Sequence, residues 1–334
     1  MKRGGFLLVM LGAFFLTMAP LTRFYIADRV IAAPLDFGEN LTLAAEEASY
    51  YDVIRNKVRS GVELKASLNL GGDIKSSDDD LMVANGILEL YSGKSLISLN
   101  EFRMAFDRRT GLLKNAKGSG VDRNTEITQT GYWMMLPIGN VQKETYQLFD
   151  LITGRTWPAR FTGVEEVAGI SAYRFEQHVE PTLVAHSKNK VAPSVVGLPD
   201  KAKPGKIDRY YESTNTLWVD PRTGMPIKLR QNVNSTLRTA DGHEGVFVEA
   251  DLVLDDKGVQ ALAKASAGYA DTISMLRTTL PGVSLAVGLV LLAVGGVLSL
   301  LAGGRRRRGP KHGREVEQVP AGSNPYLAGN AQSK

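Results

Sequence analysis

The chain has 334 residues, 43% hydrophobic and 22% charged, a balance that excludes a wholly disordered or collagen-like polypeptide. The absence of cysteine excludes a disulfide-stapled scaffold, a thiol nucleophile, an iron–sulfur cluster and a cysteine-ligated zinc. The net charge of +5 belongs to the ends, to Lys2 and Arg3 and to Arg305, Arg306, Arg307, Arg308, Lys311, Arg314 and Lys334, so the middle is slightly acidic and has no electrostatic case for binding nucleic acid.

From the N-terminus, Gly4 to Thr22 is a run of 19 residues without a formal charge. As a helix it spans about 28 Å, close to a bilayer core. Met1-Lys2-Arg3 resembles the basic start of a signal sequence. The small-residue cleavage candidates, Met18-Ala19 and Ala32-Ala33, each precede a proline (Pro20, Pro34), a poor first mature residue. The run is also longer than the roughly 7–15 residues of a signal core, so a retained anchor is expected.

Period-two alternation follows. Phe102, Met104 and Phe106 share a face opposite Glu101 and Arg103. Tyr173 and Phe175 oppose Arg174, Glu176 and His178, and Val248, Ala250, Leu252 and Leu254 oppose Glu249 and Asp251. One polar and one apolar face predict half-buried antiparallel strands. Phe106–Gly111, Phe149–Gly154 and Val219–Gly224 share apolar-Asp-x-x-Thr-Gly. Asp caps backbone N–H groups and Gly takes the left-handed position, which predicts a hairpin at each. Lys188 to Lys206, rich in proline and lysine, reads as a surface loop.

Helical spacing appears at Val259, Leu262, Ala263, Ser266, Ala270, Ile273 and Leu276, after the capping candidates Asp255-Asp256. Pro281 is expected to separate this helix from Gly282–Gly304, a second uncharged run of 23 residues that ends at the arginines. Ser284, Gly288, Gly295, Ser299 and Gly303 offer a small-residue face, with Gly12, Ala13 and Ala19 as candidate partners. Basic residues at both ends put both termini in the cytoplasm and residues 27–280, approximately, outside.

The expected organisation is an N-terminal anchor (1–30), a β-rich extracytoplasmic domain (31–255), a juxtamembrane amphipathic helix (256–280), a transmembrane helix (281–304) and a basic, disordered cytoplasmic tail (305–334). The fold class is α+β: two transmembrane helices flank a mostly antiparallel sheet, curved or half-barrel, single or duplicated.

The sequence carries no recognisable catalytic or metal-binding pattern. His178, His186, His243 and His312 lack metal-ligand spacing, and Asp78-Asp79-Asp80 lacks the calcium-loop pattern. No nucleophile elbow, phosphate loop or dinucleotide fingerprint is present. In extended chain, Glu46-Glu47 and Glu165-Glu166 point to opposite faces and make no acid–base pair. No enzyme, cofactor or metal is expected.

An ordered set of residues carries a family resemblance. Tyr51-Asp52, Ala105 to Gly111, Pro137, Tyr146, Asp150, Arg155-Thr156, Gly163 to Val167, Tyr173-Arg174-Phe175, Leu217 to Gly224, and Arg23 to Leu35 with Arg29 and Ala33-Pro34-Leu35 look like the actinobacterial membrane family called Porin PorA. The resemblance covers residues 5–308, approximately, and implies an envelope channel. Separately, the hairpin Trp218 to Leu229 is similar to those of lipoprotein carriers of the LolA and LppX type, curved sheets that hold acyl chains against helices.

A barrel pore needs many lipid-facing strands, whereas this chain spends its membrane contact on two helices without a polar stripe. The leading expectation is therefore an envelope protein whose external β-domain binds or transfers a lipid or other apolar molecule. Phe102, Met104, Phe106, Tyr173, Phe175, Trp218, Ile227 and Leu229 are the candidate lining. A porin or channel component, and a non-catalytic scaffold for envelope proteins, are the alternatives. Expected partners are membrane lipids, an apolar envelope ligand, and envelope proteins or further copies of the chain.

Overall fold

The computed structural model describes residues 2–187 and 190–304; the arginine run and the tail expected to be disordered lie outside the described residues. The described chain forms two compact units, residues 2–16 with 286–304, and residues 17–285. In chain order, α1 (Lys2–Leu21) passes through a π-helical turn (Thr22–Ile26) into α2 (Ala27–Val30). Strands follow, then α3 (Asp256–Ser274), a second π-helical turn (Met275–Thr279) and α4 (Leu280–Gly304).

Two helical stretches, Gly4–Val30 and Asp256–Leu301, are long and apolar enough to cross a membrane. In the first unit α1 and α4 pack on glycines. A Cβ on Gly5 would lie 3.1 Å from Gly295 O, and one on Gly12 would lie 2.9 Å from Gly288 O and 2.8 Å from Leu292 N. Rising numbers on α1 meet falling numbers on α4, so the helices run antiparallel. Seven residues, two helical turns, separate the contacts on each helix and keep them on one face.

The sheet is built from two antiparallel meanders. The first is β1 (Gly38–Asp52), β2 (Lys57–Gly72), β3 (Leu81–Ser92), β4 (Ser95–Asp107) and β5 (Leu113–Lys114), with β6 (Gly120–Val121) beside β4. The second is β7 (Tyr146–Asp150), β8 (Arg155–Val167), β9 (Ile170–His186), β10 (Ile207–Val219), β11 (Pro226–Thr239) and β12 (Glu244–Leu254). Pairing of β1 with β12 joins them into one 12-stranded sheet, ordered β5-β4-β3-β2-β1-β12-β11-β10-β9-β8-β7. The edges are then bridged by one segment. Leu113 N–H donates to Gly131 O, Tyr132 N–H to Gln147 O and Phe149 N–H to Tyr132 O. The expected curved antiparallel sheet is present, and this segment links its two edges into a ring of hydrogen bonds.

The alternating apolar residues face inward and make the core. Leu41, Leu43, Leu64, Leu68, Phe102, Met104, Phe149, Val179, Val233, Val248 and Leu252 form its main cluster. The three Asp-x-x-Thr-Gly segments are the turns β4–β5, β7–β8 and β10–β11. In each the glycine has positive φ and donates its N–H to the aspartate carbonyl, at 2.8, 3.0 and 2.9 Å. Gly224 is the most constrained, because a Cβ there would lie 2.3 Å from Leu136 O.

Three expectations need correction. First, the proline- and lysine-rich stretch is more than a surface loop. A 3₁₀ turn at Pro193–Val196 buries Val195 and Val196 with Val191 against Tyr51, Ile207 and Leu237. Second, Pro281 does not break the helix, which runs on from α3 through the π turn into α4. Proline lacks the N–H that would reach Arg277 O, and that carbonyl accepts from Arg23 Nη1 at 3.2 Å. Third, Glu46 and Glu47 do not point to opposite faces: both are exposed, because the pairing of β1 with β2 shifts between Ala45 and Ala48.

Candidate functional site

The interior of the sheet contains cavities, and α3 covers one end. Asp255 caps α3 by accepting from Gly258 N–H at 2.7 Å. Ser266 fixes the helix against the β10–β11 turn, with its hydroxyl 2.9 Å from Asp220 Oδ2 and 2.7 Å from Thr223 Oγ1. The helix face that the sequence marks as apolar thus lies over the sheet, burying Leu262, Ala263, Ala270 and Ile273.

Beneath α3 lies a cavity of about 440 Å³. Its walls come from the start of the sheet (Phe37, Leu41, Leu68, Leu70), from Phe106, Leu113 and Trp133, and from α3 (Leu262, Ala265, Gly268, Tyr269). Met82, Met134, Met135 and Met225 add flexible, polarisable surface that adapts to an occupant's shape. Glu39 is the one charged side chain in the lining. A second cavity of about 150 Å³ shares Leu68, Trp133 and Met134 with the first, so these residues form the partition. A third of about 80 Å³ shares Ala66, Leu88, Ile152 and Gln231 with the second.

Polarity rises along this series. Asn215 Nδ2 donates to Gln177 Oε1 at 2.8 Å, and Gln231 Nε2 to the Tyr211 hydroxyl at 3.0 Å. Burial raises the Asp150 carboxyl above its ordinary range. Burial, then the Asp150 charge, pushes the Tyr211 phenol up. Burial lowers the Arg209 guanidinium, whose Nε has no hydrogen-bond partner among the described residues. Asn215 Oδ1 is likewise buried without a partner among the described residues. The inside of the sheet is therefore an apolar chamber under α3 followed by a narrow polar belt.

Of the eight residues marked from sequence, Phe106 lines the large cavity and Leu229 the second. Phe102 and Met104 are buried in the main core, and the Phe102 ring meets Trp133 edge-on at 5.1 Å. Tyr173 and Phe175 belong to a separate aromatic cluster, in which Phe175 contacts Tyr146 and Phe161. Trp218 and Ile227 pack with Ile170, Ala172 and Ala263, and Trp218 Nε1 donates to Glu165 Oε2 at 2.7 Å. The structure thus spreads the eight over several clusters. Sequence reasoning missed Tyr269 and the run Trp133-Met134-Met135. The signal for the latter was an apolar run between Gly131 and Pro137 in a stretch without periodicity.

Comparison with known proteins bears on identity. The family described as Porin PorA matches residues 4–297. A curated Porin PorA from Corynebacterium resistens is 23% identical over 299 residues, covering 66% of this chain and 70% of the relative. This match and the two candidate spans fit a membrane protein. A match over nearly the whole length, through both apolar helices and all the strands between them, makes the chain a member of the Porin PorA family.

Proposed function

We propose that the chain is a two-span envelope protein with both termini in the cytoplasm, and that the interior of its external β-domain binds or hands on a lipid or other apolar envelope molecule. It uses no cofactor and catalyses no reaction. The observation that carries this reading is the apolar 440 Å³ cavity under α3, a size suited to a small-molecule site of roughly 300–1,000 Å³. The outward face of the sheet supports it. Glu63, Lys65, Glu101, Arg160, Arg230 and Glu249 are exposed there. A lipid-facing barrel instead carries an apolar band, so this face suits water.

The comparisons lean toward a second reading. The family and the relative both carry the name porin, which favours a channel-type role. The cavities in series and their polar belt would be the conducting path, opened at Trp133 and Met134. Two measurements on the full-length protein in lipid nanodiscs and planar bilayers separate the readings. The binding reading expects saturable uptake of a fluorescent acyl probe, a copurified lipid, and no steady conductance. Reproducible unitary conductance altered by Arg209→Gln would establish the channel. A protein with neither property would be a scaffold.

A further inference from the structure

The cavity under α3 is lined mainly by apolar side chains, with Glu39, Thr272 and Tyr269 as polar exceptions. The phenol oxygen is buried and has no hydrogen-bond partner among the described residues. An unmet hydroxyl in an apolar chamber is costly, and a polar group of a ligand would satisfy it. Two guanidinium groups, those of Arg108 and Arg277, lie within electrostatic range of that oxygen.

Neither arginine is fully neutralised. Arg108 donates to the carbonyls of Ala33, Asp78 and Asp79 at 2.8, 3.2 and 3.1 Å; the Asp78 carboxylate lies within its electrostatic range but makes no direct ion pair with it. Ala33 itself lines the cavity, so Arg108 stands directly behind that wall. Arg277 donates to Gly139 O at 3.2 Å and reaches Asp28 Oδ1 only at 3.5 Å, on an exposed carboxylate. Glu39 is the opposing charge in the lining.

We infer that the cavity takes a single-chain amphiphile with an acidic head, the head meeting the Tyr269 hydroxyl between Arg108 and Arg277 and the chain lying toward Trp133. This rests on the apolar-ligand reading and names the chemistry of that ligand. Two positive charges within electrostatic range of an unmet hydroxyl favour an anion, and a cavity of about 440 Å³ bounded at Trp133 and Met134 suits one chain rather than several. A single Glu39 would instead suit a cationic head, which makes head charge the discriminating variable.

The test uses full-length protein in nanodiscs of zwitterionic lipid, and three probes: a dibrominated C18 fatty acid, the matching alcohol and the matching trimethylammonium compound. Bromine quenches tryptophan on contact, so the readout is the saturable quenching lost in Trp133→Phe. The acid is expected to bind at least tenfold more tightly than the alcohol, with the ammonium compound weakest. Tyr269→Phe and Arg277→Gln should each weaken the acid more than the alcohol and so remove most of that preference. These two variants spare Arg108, whose loss disturbs the Ala33 and Asp78 backbone. Equal or tighter binding of the alcohol or the ammonium compound overturns the acidic-head assignment and leaves the apolar-ligand reading standing. So does an acid preference that survives in both variants. Failure of all three probes to saturate removes the apolar-ligand reading, and the inference with it.

Discussion

Asp150 and Asp220 hold equivalent places in two copies of one turn, yet their carboxyls shift in opposite directions. Burial dominates at Asp150, whose turn bonds to Thr153 do not offset it, and its carboxyl is raised. Asp220 is also buried, but Arg222 reaches it at 2.9 and 2.7 Å and Ser266 adds a bond, so its carboxyl is lowered. The residue two places on, Ile152 or Arg222, sets the difference. The consequence for stability follows by linkage. A lowered carboxyl stabilises above its unfolded value, near pH 4, and loses that contribution as pH falls through its folded value. A raised carboxyl costs stability as pH rises from about 4 toward its folded value. Asp220→Asn should therefore melt lower than the parent at pH 7 and converge with it in acid, whereas Asp150→Asn should melt higher at pH 7; thermal melts between pH 3 and 7 read both. Two backbone positions give a second check. Gly224→Val should cost roughly 1–3 kcal/mol through positive-φ strain, aggravated by Leu136 O. Ala168 has φ 48° in the exposed β8–β9 turn, so Ala168→Gly should raise stability by about 1 kcal/mol. If neither substitution moves the denaturant midpoint in its stated direction, the turn conformations are wrong.

Helices and strands differ in how far their sequence announces them. Period-two alternation made β4, β9 and β12 legible because one face of each meets a core and the other meets water. The α3 boundary was legible because Asp255 precedes the first apolar turn, and so was the contact of Gly12 with Gly288, because small residues recur two turns apart on α4; the contact of Gly5 with Gly295 was not. The edge closure was not legible. Residues 112–145 hold only two-residue strands, β5 and β6, and the closing bonds join Leu113, Tyr132 and Phe149, far apart in the chain. Tyr269 was hidden for another reason. Its place on the apolar face of α3 reads as core, and only the fold reveals a cavity and an unmet hydroxyl there. The Cβ position of Gly5 lies 2.7 Å from Ser299 Oγ, and the chain has no cysteine of its own. Gly5→Cys with Ser299→Cys should form a disulfide when an oxidant such as copper phenanthroline is added to isolated membranes. Adding Gly12→Leu should slow that cross-link severalfold, because leucine cannot fit against Leu292 and Gly288. An unchanged cross-linking rate would mean that the glycine contacts do not hold the pair.

At the scale of the whole chain, charge sorts the sequence by environment. The two apolar helices carry no formal charge from Gly4 to Thr22 or from Gly282 to Gly304, while exposed acids and bases cover the outward face of the sheet. Positive residues cluster beyond both apolar runs, and the translocation cost of such clusters is the reason the proposed topology keeps both ends inside. The β-domain would then stand outside, where an envelope ligand is available to its cavity. The test is cysteine accessibility, and the fold changes where the cysteine belongs. Strand β10 offers Ser213 as a small polar site, but that residue is 2% exposed inside the sheet and would stay unlabelled in either orientation. Lys94 is exposed in the β3–β4 turn and suits the experiment. Lys94→Cys should react with a membrane-impermeant maleimide in intact cells, and Ser333→Cys should react only after the membrane is opened. The reverse pattern would put the cavity in the cytoplasm and remove the envelope role along with the topology.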